Sequence, residues 1–349
     1  MLVVYAEAQQ RHHPRFFIAR GRVRPGPEVP ERAERLLAAV RRAGHEVIAP
    51  EAYGPEPRAA VHTARYLAFL EGAHRRWSEL PDASPEIVPN VHPGFCMDTY
   101  PEGVVGQAGW HQADTACPIG EHTFEGACAA ADCAVHAAEL VGLGGGGVPS
   151  IYALCRPPGH HAYADRAGGF CFLNNAAIAA ERLVRRSGGG RVAVLDIDVH
   201  HGNGTQGIFW DRGDVLTVSI HGDPAGAFYP FFCGHAGERG GGAGDGANLN
   251  LPLAEGTGDD GYMAALDGAL AAVRAFRPAA LVVALGLDAF HGDPLRFLRV
   301  TTPGFAGIGR RIVALGLPTV IVQEGGYVCD ALGDNLAGFL GGFEAGRPP

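Results

Sequence analysis

Short apolar runs separated by helix-length segments are the feature that most constrains the fold of this chain. The runs are rich in Val, Ile and Leu, which is typical of parallel strands buried on both faces of a sheet. They are Leu2–Tyr5, Ser150–Leu154, Arg191–Ile197, Val215–Ile220, Ala280–Leu285 and Thr319–Val322. Their alternation with helical patterns predicts an α/β protein with a single open, doubly wound, mostly parallel sheet flanked by helices.

The segments between these runs have amphipathic or alanine-rich patterns that predict helices. Seven helices are expected, at Pro30–Ala43, His62–His74, Thr123–Val141, Asn174–Arg186, Asp259–Phe276, Thr302–Leu315 and Asp330–Phe343. Asp259 is a favourable N-cap residue, and Pro303 after Thr302 is suited to a first helical turn.

Two stretches, 21–30 and 81–123, lack such periodicity and are predicted to be long loops. The second is rich in proline and glycine. A loop of this length inside a compact domain is usually functional or part of an interface. We therefore expect residues 1–349 to form a single catalytic domain, with a loop insertion at about 81–123.

The composition narrows the expected partners and surroundings. A net charge of −9 argues against nucleic acid and is compatible with a cationic or neutral small substrate. No apolar run approaches the length of a membrane span, and Met1–Ala6 is expected to be a first strand rather than a signal peptide. The eight cysteines include no Cys-x-x-Cys pair, which favours buried, reduced thiols in a cytoplasmic protein.

Acidic and imidazole side chains follow two of the predicted strands. Asp198 and His200 are two residues apart, so in extended backbone they share one face. Asp288 follows another apolar strand. Each residue alone is more simply interpreted as a cap or turn, but three together fit a catalytic zinc site with an open position. Zinc would lower the pKa of a bound water toward ~7, although Fe²⁺ or Co²⁺ also suits two oxygens and one nitrogen.

Two adjacent histidines, His160 and His161, follow a Pro-Pro-Gly turn at another strand end and are candidates for proton transfer. Asp196 and Asn203 flank the metal pair and could orient them. A carboxylate raises the basicity of its histidine more than an amide does, so the two histidines should differ in pKa. Tyr327, after two glycines, could donate to an oxyanion, although a packed tyrosine in a structural turn is the simpler interpretation of that motif alone.

These motifs together resemble the zinc-dependent histone deacetylase superfamily, which has an arginase-like α/β fold, and within it the bacterial acetylpolyamine amidohydrolases. The resemblance extends along nearly the whole chain and is carried by four segments: 155–161, 168–176, 196–206 and 324–327. It implies Asp198, His200 and Asp288 as zinc ligands. It implies His160 backed by Asp196, His161 backed by Asn203, and Tyr327 as the phenol that polarises the carbonyl.

The resemblance also implies a substrate tunnel and structural cations. Gly169 and Phe170 would line the tunnel opposite Phe228 or Tyr229, and Asp114 would be a substrate-binding acid. A monovalent cation, K⁺ or Na⁺, would be bound by five residues: Asp196, Asp198, His200, Ser219 and Ile220. A second cation site would involve Phe209 and Val215.

This sequence departs from the family pattern at two places. Position 203 is Asn where many histone deacetylases have Asp. The segments 14–18 and 103–107 lack the acidic residues that the polyamine enzymes have near the tunnel mouth. The first departure bears only on the role of His161, and the second bears on polyamine specificity.

The predicted function is a zinc-dependent amidohydrolase that removes acetyl or small acyl groups from primary amines, such as acetylated polyamines or diamines. Alternatives are a protein acetyl-lysine deacetylase, a dinuclear-metal ureohydrolase, which would need further aspartates, and a non-catalytic binder of acylated ligands. The expected partners are a small acylated amine and a second copy of the chain, bound through residues 81–123. Neither nucleic acid nor a membrane is expected.

Overall fold

Eight parallel strands form one sheet in the computed structural model, which describes residues 1–145 and 147–346. The strands are β1 Leu2–Val4, β4 Glu46–Ile48, β5 Ser150–Ala153, β6 Val192–Asp196, β7 Val215–Gly222, β8 Asn248–Leu253, β9 Ala280–Leu285 and β10 Thr319–Gln323. Their order is β4-β1-β5-β10-β9-β6-β7-β8, and every pairing is parallel. The six predicted strands are therefore present.

The two strands that the sequence did not reveal, β4 and β8, occupy the edges of this sheet. Strand β4 has only three residues, and β8 alternates buried Asn with half-buried Leu. An edge strand is not enclosed on all sides, so it needs no continuous apolar run, which explains the weak signal.

Ten helices flank the sheet within the described residues. They are α1 Pro30–Arg42, α2 Glu56–Ala59, α3 Ala64–Ser78, α4 Val104–His111, α5 Thr123–Leu140, α6 Asn175–Arg186, α7 Asn203–Phe209, α8 Asp259–Phe276, α9 Thr302–Val313 and α10 Leu332–Ala345. Helices α2, α4 and α7 were not predicted. Helix α4 lies inside the predicted loop 81–123, which is therefore partly helical.

Successive side chains of the central strands enter two different cores, one on each face. Val192 and Val194 belong to the core that includes residues of α3, α5 and α6, whereas Ala193 and Leu195 belong to the core that includes residues of α1, α8, α9 and α10. This alternation follows from the two-residue period of a strand. It produces the doubly wound, three-layer arrangement that the sequence predicts.

A short antiparallel hairpin, β2 Phe16–Ala19 and β3 Arg22–Pro25, stands apart from the main sheet. It occupies part of the predicted loop 21–30. Arg20 and Gly21 form its turn with φ of 52° and 71°, the left-handed pair that a two-residue hairpin requires. Thr115 anchors the hairpin, because its Oγ1 donates to the Ile18 carbonyl (2.7 Å) and its carbonyl accepts from Ile18 N (3.3 Å).

Among residues 1–145 and 147–346, no helix has both the length and the apolar character needed to cross a bilayer. All eight cysteines are free thiols. Burial raises the pKa of the Cys133 and Cys155 thiols well above the usual range, so these two side chains behave as small apolar groups.

Candidate metal centre and active site

The candidate site lies at the carboxyl edge of four neighbouring strands, β5, β10, β9 and β6. His160 follows β5, Tyr327 follows β10, Asp288 follows β9, and Asp198 and His200 follow β6. Parallel strands end at the same edge of a sheet, so residues far apart in sequence meet there.

Asp198, His200 and Asp288 form a compact cluster in which the three potential ligand atoms lie within 4.8 Å of one another. His200 Nδ1 is 3.1 Å from Asp198 Oδ1 and 3.2 Å from Asp288 Oδ2. All three side chains are buried. Asp288 Oδ2 nevertheless has no well-aligned hydrogen-bond donor, which is the state expected of an oxygen available to a cation.

Backbone groups hold the two carboxylates in place. Gly325 N donates to Asp198 Oδ2 (2.7 Å) and Val199 N donates to Asp288 Oδ1 (3.0 Å). Gly286 and Gly325 must be glycine, because a Cβ at Gly286 would overlap Asp198 and a Cβ at Gly325 would overlap both carboxylates. The glycines beside these strands thus leave room for the charged cluster.

The charges of the two carboxylates favour the binding of a cation among these three side chains. Burial and the charge of Asp198 raise the pKa of Asp288 to about 7. Burial lowers the pKa of His200, but the close approach of the Asp198 and Asp288 carboxylates outweighs burial and raises the pKa to about 9. Two carboxylates and one imidazole fit a divalent ion such as Zn²⁺, Fe²⁺ or Co²⁺.

The histidine pair lies beside this cluster with unequal partners. His160 Nδ1 is 2.9 Å from Asp196 Oδ2, and His161 Nδ1 is 2.6 Å from Asn203 Oδ1. Burial lowers the pKa of His160, but the charges of Asp196 and Asp198 outweigh it and raise the pKa to about 10. Burial and the neighbouring imidazoles lower the pKa of His161 well below its usual range. The two rings, 4.0 Å apart, thus differ strongly in basicity.

Glu324, to which the sequence assigned no role, fixes the turn that carries the pair. Its Oε2 accepts from Gly159 N (2.6 Å) and from His160 N (3.0 Å). Burial raises the pKa of Glu324 to about 7. The sequence did contain a signal for Glu324, because this residue lies in the segment 324–327, which carries the family resemblance.

Arg32 is a second residue that sequence reasoning missed. It donates from Nε to the Gly326 carbonyl and from Nη2 to the Glu324 carbonyl (both 2.6 Å), and its guanidinium lies 4.8 Å from the Tyr327 ring centre. Glu28 pairs with it at 2.9 Å. An arginine on an amphipathic helix gives no sign of being buried, so no sequence signal could have found it.

Tyr327 is buried beside the metal cluster. Its backbone N–H donates to Asp293 Oδ2 (2.8 Å), and its ring packs edge-on against Phe170 (5.9 Å between centres). Burial raises the pKa of Tyr327 well above its usual range, although Arg32 opposes the shift. The phenol therefore remains a hydrogen-bond donor at neutral pH.

A cavity of about 510 Å³ connects this cluster to the surface. All the predicted tunnel residues line it, namely Gly169, Phe170, Phe228 and Asp114, and so does Tyr229, the alternative to Phe228. Phe228 stacks on His200 with ring centres 4.9 Å apart, and Tyr229 packs edge-on against His161 at the same distance.

The Asp114 carboxylate is already engaged by groups of the chain. Its Oδ2 accepts from Tyr229 OH (2.6 Å) and Gly169 N (3.1 Å), and its Oδ1 accepts from Ala116 N (2.7 Å). Asp114 thus fixes the wall of the cavity. Any contact with a substrate would be additional to these three.

Two of the residues predicted to bind a monovalent cation, Asp198 and His200, also belong to the metal cluster, and the others lie on or next to β6 and β7. Asp196 and Ser219 are directly opposite each other in the β6–β7 pairing, and Ile220 follows. Ser219 Oγ is 2.8 Å from His221 Nδ1. Phe209 ends α7 and Val215 begins β7, on either side of one connection. Which ions these groups hold stays a prediction.

Comparison with known proteins shows the family of the chain. Residues 26–342 match the family model of the histone deacetylase domain. The chain is 50% identical over 349 residues to an acetylpolyamine amidohydrolase of Burkholderia pseudomallei, covering 99% of this chain and 100% of the relative. It is 44% identical over 348 residues to acetylpolyamine amidohydrolase 1 of Pseudomonas aeruginosa, covering 99% of both. The crystal structure of an acetylpolyamine aminohydrolase from Burkholderia pseudomallei superimposes with a TM-score of 0.95, 49% identity and full coverage of both chains.

The fold and the site define a metal-dependent hydrolase of the deacetylase class. The chain belongs to the histone deacetylase family.

Proposed function

We propose that this chain hydrolyses the amide of small acylated primary amines, and acetylated polyamines are the substrates that the names of its relatives suggest. One observation carries the proposal. His200 of the Asp198–His200–Asp288 cluster, His161 of the histidine pair and Tyr327 all line one cavity. Amide hydrolysis needs these three elements: an electrophilic centre, a proton carrier and a donor to the carbonyl oxygen.

Asp198, His200 and Asp288 would hold the divalent ion, with Zn²⁺ as the first choice and Fe²⁺ or Co²⁺ as alternatives. When bound, such an ion supplies Lewis-acid polarisation of the amide carbonyl and lowers the pKa of water. We further assign K⁺ or Na⁺ to the group of Asp196 and Ser219, with a second site at Phe209 and Val215.

His160 and His161 move the protons of the reaction. The attacking water loses a proton to His160, and the departing amine gains one with the help of His161. Asp196 keeps the His160 ring oriented, and Asn203 does the same for His161. The high pKa of His160 arises from two carboxylates, and a cation held by Asp198 would reduce that effect and leave His160 able to accept a proton.

Tyr327 donates a hydrogen bond from its hydroxyl to the carbonyl oxygen as negative charge develops there. Its buried position and raised pKa keep the phenol protonated, so that it can donate this hydrogen bond. Phe170 and Phe228 exclude water from the sides of the cavity and accommodate a slender aliphatic chain.

A substrate panel tests the proposal, with acetylputrescine, acetylcadaverine, acetylspermidine and acetyl-lysine peptides assayed on metal-loaded protein. We expect turnover of the free small amides to exceed that of the peptides. Faster cleavage of peptides would indicate a protein deacetylase. Binding without turnover of any acyl-amine would indicate a non-catalytic receptor, and two bound manganese ions with urea release from guanidino compounds would indicate a ureohydrolase.

We also propose that two copies of the chain associate through residues 81–123. Three apolar side chains of this segment project into solvent: Phe95 is 98% exposed, Met97 62% and Val91 56%. Such a patch on one segment is unusual for a surface with no partner. Light scattering should show a dimer for the native chain and a monomer for Phe95→Glu/Met97→Glu. The control Phe232→Glu changes an aromatic residue, 91% exposed, outside the segment and should remain dimeric.

A further inference from the structure

The β2–β3 hairpin brings positive charge to the mouth of the cavity. Residues 17–20 and Arg24 line the cavity, and Arg24 is paired with Phe17 across the hairpin. The Phe17 ring packs edge-on against Phe170 with 5.6 Å between centres. Together with the Thr115 anchor, this contact seats the hairpin on the cavity wall, so Arg20 and Arg24 are held at the entrance.

The two mouth arginines have no neutralising partner in the described part of the chain. Both are exposed, and neither makes an ion pair or a side-chain hydrogen bond. The segment 15–27 contains four arginines and no acidic residue. Asp114, the one carboxylate among the described residues that line the cavity, already accepts three hydrogen bonds from the chain. The entrance is thus locally cationic, although the chain as a whole has a net charge of −9.

We propose that Arg20 and Arg24 recognise a carboxylate, so that the preferred substrate is an acyl-amine whose end remote from the amide is anionic. Guanidinium groups bind carboxylates with paired, charge-assisted hydrogen bonds, and they repel an ammonium at the same place. The proposal rests on the proposed amide hydrolysis and specifies its substrate. It makes acetylated diamines, whose remote end is cationic, poorer substrates than carboxylates of equal length.

A matched series isolates the charge at the remote end. In 6-acetamidohexanoate, N-hexylacetamide and N-acetylcadaverine, the same methylene chain ends in a carboxylate, a methyl and an ammonium group. We expect kcat/KM to decrease in that order, with roughly a tenfold advantage of carboxylate over ammonium at low salt. The advantage should lie in KM, because the mouth is remote from the reacting amide, and it should shrink at high ionic strength.

The variant Arg20→Gln/Arg24→Gln should reduce this advantage to about twofold or less. The control Arg22→Gln removes a charge from the same hairpin at a position that does not line the cavity, and it should retain the native order. A native preference for the ammonium substrate, or an unchanged carboxylate advantage in the double variant, would overturn the assignment.

Calorimetric binding of the three amides separates this assignment from the proposed reaction. If none of the three amides is hydrolysed, the proposed function is wrong. The binding data alone then test whether Arg20 and Arg24 recognise a carboxylate. Tighter binding of the carboxylate that is lost in the double variant supports the recognition site. Equal binding of the three amides, or tighter binding of the ammonium compound, refutes it.

Discussion

The floor and the mouth of the cavity are built in opposite ways. At the floor, Asp198, Asp288 and Tyr327 are buried, and each is fixed by backbone hydrogen bonds. At the mouth, Arg20 and Arg24 are exposed and held only through the hairpin that carries them. Burying a polar group without its hydrogen-bond partners costs free energy, so few substitutions are tolerated at the floor. Surface positions cost little to change, so the mouth is free to differ between relatives that share one reaction.

The largest effect is expected for a substitution in the Asp198–His200–Asp288 cluster at the floor. Asp288→Asn removes one of the two proposed anionic ligands, and activity is expected to fall to background. That loss exceeds the ~10–100-fold effect of residues that only orient metal ligands. The gain in Tm that Zn²⁺ gives the native chain should also disappear, because binding to the folded state is the source of that gain. A variant that still gains Tm with Zn²⁺ would exclude Asp288 as a ligand.

Tyr327→Phe tests the role of the phenol at the floor of the cavity and leaves the proposed metal ligands in place. Removing one oxyanion donor is expected to lower kcat about 100-fold, with little change in metal content or stability. Tyr152→Phe is the control, because it removes a buried hydroxyl that bonds Gln323 Oε1 and lies outside the cavity lining. Deacetylation that survives intact in Tyr327→Phe would show that the phenol is only packed there.

Beneath the floor, Glu28 is buried between Arg32 and Arg156, with ion pairs of 2.9 Å to each. Burial raises the pKa of Glu28, but Arg156, His12 and Arg32 outweigh it and hold the pKa well below its usual range. Glu28→Gln leaves two buried cations without their anion, and the free energy of unfolding should fall by about 3 kcal/mol. Urea unfolding measures this. Glu31→Gln, in the exposed pair with Arg35, should cost less than about 0.5 kcal/mol.

The pH dependence of this network has a definite sign. Because the folded pKa of Glu28 lies below the unfolded value of about 4.3, its stabilisation is complete above that value and is lost as the pH falls toward the folded pKa. The native chain should therefore lose stability in acid more steeply than Glu28→Gln. If the free energies of unfolding of the native chain and Glu28→Gln fell equally steeply in acid, the folded pKa of Glu28 would be close to its unfolded value.

The contrast between buried and exposed regions also explains which elements could be predicted from the sequence. Central strands and their carboxyl ends were predictable, because burial on both faces demands apolar runs and the chemistry follows directly after them. Edge strands β4 and β8, helix α4 and the hairpin were not, because they are short or partly exposed and their stability depends on tertiary contacts. Arg32 was hidden for another reason, since its partners are backbone carbonyls nearly 300 residues away.

The smallest expected effect comes from loosening the mouth while leaving its charge intact. Thr115→Val keeps the shape of the side chain but removes the hydroxyl that donates to the Ile18 carbonyl, and the stability change should be about 1 kcal/mol or less. The hairpin would then hold Arg20 and Arg24 less firmly, so KM should rise while kcat stays unchanged. Thr257→Val, which removes an exposed hydroxyl bonded to the Ala254 carbonyl outside the cavity lining, should alter neither KM nor kcat. A fall in kcat instead would mean that the hairpin communicates with the floor, and that the two regions are less independent than their construction indicates.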